Sequence, residues 1–210
     1  MENETTTGSE AQGGATPADA APKAPVKKKP AVRKRPAKKA AVKAPKKPAA
    51  KLVVFFRHGI AEDPSEEKAD GDRSLTTSGH DRTKRSARGL AKVIGDVDVI
   101  LSSPLLRALQ TALWVTKAYG GKVKVHTTDV LLPDAGPEDV LKAIGEVEGK
   151  NIVVVGHEPN LSACAASLLG VPGLRMNVRR AGCVAIRIDE EGKGTLEWLL
   201  APRTLRGLRS

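Results

Sequence analysis

Two histidines each follow a short apolar run: Leu52-Val53-Val54-Phe55-Phe56-Arg57-His58-Gly59, and Ile152-Val153-Val154-Val155-Gly156-His157-Glu158-Pro159-Asn160. A neutral imidazole is a competent nucleophile near pH 7, because its unperturbed pKa leaves a ring lone pair available, and it can carry a phosphoryl group on one nitrogen. Arg57 stands beside the first histidine, and Arg107 follows a third apolar segment, Ile100-Leu101-Ser102-Ser103-Pro104-Leu105-Leu106. A guanidinium offers paired N–H donors that match phosphate oxygens, which lysine does not. Phosphoryl transfer passes through a loose, charged transition state that fixed cations stabilise. These side chains therefore point to chemistry on a phosphoryl group, provided the fold brings them together.

The elements that must do so are legible in the hydropathy pattern. Strands are expected at 52–57 and 97–102, over Val123-Lys124-Val125, and from Asn151 to Val155, the last with an apolar run typical of burial on both faces. Helices are expected over about 78–94, where Ala87, Leu90, Ala91 and Ile94 keep helical spacing, and over 104–118 with Pro104 as first residue. Two more run from Pro137 to about Val147 and over 159–169. Val184–Ile188 and Thr195–Leu199 flank Glu191-Gly192-Lys193-Gly194 and read as a hairpin. The alternation predicts a layered α/β/α domain with a mostly parallel sheet and a C-terminal antiparallel hairpin. Ligands in such sheets bind beyond the carboxyl ends of the strands, where both histidines fall.

Arg57-His58-Gly59, then Ser103 and Arg107 leading to Thr111-Ala112, then Gly156-His157, occur in an order that resembles the histidine phosphatase superfamily. Arg73-Ser74-Leu75-Thr76-Thr77-Ser78-Gly79 and Gly192-Lys193-Gly194-Thr195-Leu196-Glu197-Trp198 are similar to its short, SixA-type phosphohistidine phosphatases. The likeness covers about residues 51 to 202. It implies that His58 is the nucleophile and becomes a transient phosphohistidine, with Arg57, Arg107 and His157 completing the catalytic set. Arg57, Gly59, Ser103, Arg107 and His157 would bind the phosphoryl group. Gly59 is expected to give backbone clearance to the entering phosphate or the turn. Ser103 could donate to a phosphate oxygen or cap the following helix.

The chain departs from the wider family at the proton donor. Superfamily members acting on alcohol esters have a glutamate after the central strand, whereas the corresponding stretch here is Asp129-Val130-Leu131-Leu132-Pro133-Asp134-Ala135-Gly136. Glu62 and Asp134 are the candidate donors, with Asp63 and Glu158 as further carboxylates. A protonated imidazole leaves more readily than an alkoxide, so a phosphohistidine substrate asks less of an enzymatic acid. The expected activity is hydrolysis of a phosphoryl group from a protein histidine, on a phosphotransfer domain in histidine-kinase phosphorelay signalling. A broad-specificity phosphomonoesterase or a mutase is the alternative within the superfamily. A mutase, however, needs an inserted lid that these short loops do not provide. No cofactor and no metal is expected: there is no His-x-x-x-His or carboxylate-rich ligand set, and His80 and His126 fall on a polar helix and an edge strand, where exposure is expected.

Composition divides the chain in two. Residues 1–50 hold 12 Lys and Arg against 4 acids and lack Phe, Trp, Tyr, Leu and Ile, so they cannot build a core. Residues 51–210 hold 23 against 20 and form the expected histidine phosphatase domain. The Lys/Ala/Pro leader is expected to be a disordered basic tail. It is similar to histone H1-like tails, so nucleic acid is a candidate partner through residues 23–51, and a nucleic-acid-associated module is the reading from another class. No targeting or membrane-spanning segment is visible, so a cytoplasmic protein is expected, monomeric for want of heptads. Cys164 and Cys183 are too few for a disulfide framework and are expected to be packed.

Overall fold

Strand β1 (Lys51–Arg57) carries two core faces at once. Leu52, Val54 and Phe56 enter one hydrophobic cluster while Val53 and Phe55 enter another, as period-2 alternation requires. The computed structural model describes residues 50–208, and in it both faces of β1 are covered. Phe55 and Phe56 are fully buried, each contributing roughly 1.5–3 kcal/mol of apolar transfer.

The chain continues through α1 (Thr77–Val93), β2 (Val99–Ser102), α2 (Leu106–Ala118) and β3 (Lys124–Thr127). Then follow α3 (Pro137–Glu146), β4 (Asn151–Gly156), α4 (Asn160–Leu168), β5 (Cys183–Ile188), β6 (Gly194–Leu200) and α5 (Pro202–Gly207). The six-stranded sheet has the order β3-β2-β4-β1-β5-β6. Strands β1 to β4 pair in parallel, while β5 runs antiparallel to β1 and to β6. Residues of α1, α2 and α5 pack on one face, and residues of α3 and α4 on the other. This is the expected three-layered fold with its C-terminal hairpin. No helix among the described residues is long and apolar enough to cross a membrane.

Local chemistry explains most element ends. Thr76 caps α1, its side-chain oxygen accepting from the Gly79 N–H at 3.0 Å. Pro137 and Pro202 open α3 and α5, where a missing N–H is harmless. Pro104 differs from expectation: Leu105 is extended, and the helix begins at Leu106, two residues later. There the Ser103 hydroxyl accepts the Leu105 N–H at 3.3 Å and sets the turn. His80 is half-buried rather than exposed, because its Nδ1 accepts the Trp114 indole N–H at 2.9 Å. His126 is exposed on edge strand β3, and Cys164 and Cys183 are buried free thiols. The basic leader lies outside the described residues apart from Ala50.

Helix α5 was absent from the sequence reading, yet it seals one core face through Leu205. It lies so close to α1 that a Cβ at Gly89 would meet the Leu205 carbonyl oxygen at 2.1 Å. A Cβ at Gly145, near the end of α3, would meet nothing within 4 Å. Gly89→Ala is therefore expected to lower unfolding free energy by about 1–3 kcal/mol, against the usual helical gain from alanine. Gly145→Ala should instead raise it, by up to about 1 kcal/mol. Urea midpoints of the two variants check this; a stabilised Gly89→Ala would mean that α5 does not dock there.

Candidate active site

Strands β1 and β4 are adjacent, parallel and in register, with Arg57 opposite Gly156. The next residue on each is a histidine, so the pairing alone sets His58 and His157 side by side. Their ring centroids are 4.9 Å apart, close to the spacing of neighbouring strands. The His58 N–H donates to the Gly156 carbonyl at 3.1 Å, extending the ladder by one rung into the site. Strand β2 pairs with the other edge of β4, Ser102 opposite Val155, and delivers Ser103 to the same end.

The rings are held in defined states. His58 Nδ1 lies 2.8 Å from the Gly59 carbonyl oxygen, which can only accept. Nδ1 therefore carries the proton, and the lone pair sits on Nε2. His157 Nε2 lies 2.9 Å from the Ser103 hydroxyl. Both rings are buried, at 8% and 3% exposure. Desolvation first, then the charge of His157, holds His58 down to a pKa of about 3, with Arg107 and Arg57 adding to the effect. His157 is lowered to about 4, again chiefly by burial and next by Arg107. Both imidazoles are neutral at pH 7.

The arginines approach from different elements. Arg107, in the first turn of α2, is almost fully buried. Its Nη1 donates to the Asp70 carbonyl at 2.7 Å, and Nη2 to the Asp70 carboxylate at 2.9 Å. Asp70 also accepts from Arg73 Nη1 at 2.6 Å, and Arg73 Nε donates to the Glu62 carbonyl at 2.8 Å. Loop 59–74 is thus cross-linked by its own charges and tied to Arg107 through Asp70. Arg57 Nη1 donates to the Val178 carbonyl at 3.0 Å, while its Nε is buried with no hydrogen-bond partner. Thr111 ties the set together, since its hydroxyl accepts the Gly59 N–H at 3.0 Å and donates to the Arg107 carbonyl at 2.7 Å.

A Cβ at Gly59 would meet Thr83 Oγ1 at 2.0 Å, so of its two expected roles the glycine serves the close packing of the turn against α1. Glu62 is no reservoir of acid: Lys68 pairs with its carboxylate, which also accepts from the Ser74 N–H and hydroxyl, and these contacts hold its pKa near about 2. Asp134 is exposed on its loop. Glu158 is half-buried, accepts the Ser162 hydroxyl at 2.8 Å, and has its pKa raised by desolvation. The sequence reading passed over Asp70, whose one signal was its place three residues before Arg73. It also gave no structure to residues 170–182, which supply the Val178 carbonyl.

Comparison with known proteins agrees with this geometry. The family model of the histidine phosphatase superfamily (branch 1) matches residues 53–131. An uncharacterised protein of Picosynechococcus sp. is 37% identical over 137 residues, covering 63% of this chain and 82% of its own. The phosphohistidine phosphatase SixA of Escherichia coli K12 is 28% identical over 162 residues, covering 73% of this chain and 96% of its own. The solved structure of the protein histidine phosphatase SixA complexed with tungstate superposes with a TM-score of 0.63 at 27% identity, over 73% of this chain and 99% of that one. Motif order, sheet topology and these likenesses agree: the chain is an enzyme of the histidine phosphatase superfamily, of its SixA type.

Proposed function

We propose that this chain hydrolyses the phosphoryl group of a protein phosphohistidine in two displacements at His58. In the first, His58 Nε2 attacks phosphorus, the P–N bond to the substrate imidazole breaks, and the departing ring takes up a proton. In the second, water attacks phosphorus, the bond to His58 Nε2 breaks, and inorganic phosphate leaves. The observation that carries this reading is the Nδ1 contact to the Gly59 carbonyl, which leaves an unprotonated Nε2 lone pair beside His157. Arg57 and Arg107 would hold the equatorial oxygens, and His157 would add a ring N–H once an anion is bound.

The acid–base inventory supports a phosphoramidate substrate over an alcohol ester. Glu62 is held ionised and Asp134 is exposed, and Glu158, whose pKa burial raises, already accepts the Ser162 hydroxyl; a leaving imidazole asks least of such a set of acids. Tungstate, which the similar SixA structure contains, is a tetrahedral oxyanion of the kind this pocket would grip. Arg107 is already bound by Asp70, so an entering phosphoryl group would share or displace that carboxylate. The phosphorylated partner in this reading is a phosphotransfer protein of a histidine-kinase relay.

The test is turnover by the full chain. Phosphohistidine on a phosphotransfer domain should be dephosphorylated with higher kcat/KM than phosphoserine or sugar phosphates; a preference for sugar phosphates would overturn the proposal. His58→Ala should lose at least about a thousandfold in kcat, as removal of a nucleophile does. Arg107→Lys keeps the charge but loses the paired donors and should cost about 100- to 1000-fold.

The neutral rings also predict acid sensitivity. Both native pKa values lie below the unfolded value near 6.5, so the unfolded chain binds more protons. Stability from this source is complete above the unfolded pKa and is lost as pH falls towards the native values, at up to about 1.4 kcal/mol per pH unit for each ring. Urea midpoints of the wild type should fall more steeply between about pH 6.5 and 4.5 than those of His58→Asn/His157→Asn. Parallel curves would show that the imidazoles are not held neutral.

A further inference from the structure

Residues 178–182 are fastened to the tip of β1 more firmly than a connecting loop requires. The Ala181 N–H donates to both the Arg57 and His58 carbonyls, each at 3.1 Å, and the Arg57 N–H donates to the Gly182 carbonyl at 3.0 Å. Ala181 has φ +60, in the left-handed region that disfavours a residue with a Cβ. This local strain, held by the double hydrogen bond, fixes Arg179 and Arg180 next to the catalytic strand end.

Both arginines are exposed, and they face a cleft of about 380 Å3 that Arg57, Arg82, Arg206 and Asn177 also line. Five guanidiniums thus surround one opening that includes a residue of the phosphoryl site. Among the described residues, no carboxylate forms an ion pair with Arg82, Arg179, Arg180 or Arg206. Asp81 lies near Arg206, but its carboxylate is bound to Arg85 at 2.7 Å. Burial and then the neighbouring Arg82 and Arg85 hold the Arg206 guanidinium below its ordinary pKa; burial does the same to Arg57, where Glu158 opposes the shift and Arg180 adds to it. The excess does not come from composition, since residues 51–210 carry only 23 cations against 20 acids. Glu158 attracts Arg57 and Asp81 attracts Arg206, but five guanidiniums at one cleft outnumber these two carboxylates; the excess of like charge destabilises the fold, and an external polyanion would relieve it.

We propose that this cleft docks aspartate and glutamate side chains of the polypeptide that carries the phosphohistidine. The inference rests on the function proposed above and names what selects the substrate there. The dimensions favour a peptide over nucleic acid, because the cleft admits a few side chains and its lining contains no aromatic ring on which a base could stack. Arginine suits carboxylates through paired donors. Because Arg57 belongs to both places, a docked acidic segment sets the phosphoryl group over His58.

The experiment compares two synthetic phosphohistidine peptides, one flanked by glutamates and one by glutamines, with the full chain at low ionic strength. The glutamate peptide should have about a tenfold higher kcat/KM, expressed in KM and shrinking with added salt. Arg82→Glu/Arg179→Glu should abolish or reverse that preference, while turnover of the glutamine peptide reports whether the variant site is intact. Equal kcat/KM on both peptides with the wild type would overturn the docking proposal and leave the phosphohistidine reading standing. Loss of phosphate from neither peptide would overturn both. A single-stranded oligonucleotide that inhibits the wild type but not the variant, with the peptides still equal, would give the cleft to nucleic acid instead.

Discussion

The site depends on one electrostatic constraint: two imidazoles and two guanidiniums converge at the carboxyl ends of adjacent parallel strands, with Asp70 the one carboxylate in hydrogen-bond contact with any of them among the described residues. Arginine cannot shed its proton, so the positive charge stays. Histidine can, and burial makes it do so. The result is a site whose fixed cations would attract an anion while its imidazole keeps a lone pair. Neither property would survive alone. In the proposed reaction a protonated His58 could not attack, and neutral rings without the arginines would leave the transferring oxygens uncompensated.

The sheet makes this arrangement affordable. Parallel pairing of β1 with β4 sets the two histidines level, and pairing of β2 with β4 brings Ser103 beside His157. Apolar burial on both faces of these strands supplies the stabilisation against which the desolvated charges are held. The links from core to site are short. Thr111 joins the Gly59 N–H to the carbonyl of Arg107, Gly59 returns its own carbonyl to His58, and Thr83 fills the space beside Gly59. A change at any of these positions would reach His58 through one or two contacts.

Much of this was legible before any coordinates. The apolar runs of β1 and β4 are unusual enough in burial to reveal their strands, and the order of Arg57-His58-Gly59, Arg107 and Gly156-His157 points to their convergence. What escaped is non-periodic. Residues 170–182 have neither helical nor strand spacing, since Val178 and Ala181 are placed by hydrogen bonds to Arg57 and His58, more than a hundred positions away. Helix α5 is too short for a periodic signal and rests on the single buried Leu205. Asp70 looked like one acid in a polar loop, because its partner Arg107 is distant in sequence. Pro104 misled for a local reason: proline suits the first helical position, but Ser103 already held the next N–H. Glu62 looked available as an acid until its contacts with Lys68 and Ser74 were visible.

The central claim is that burial keeps both imidazoles neutral in the free protein and that an oxyanion alone restores their affinity for protons. Nitrogen NMR of the histidine rings, titrated with and without vanadate, reads this directly. The account predicts that His58 and His157 stay neutral down to about pH 5 in the free protein, and that vanadate raises the pKa of at least His157 by a unit or more. Either ring titrating near its ordinary value of about 6.5 in the free protein, with no response to vanadate, would contradict it.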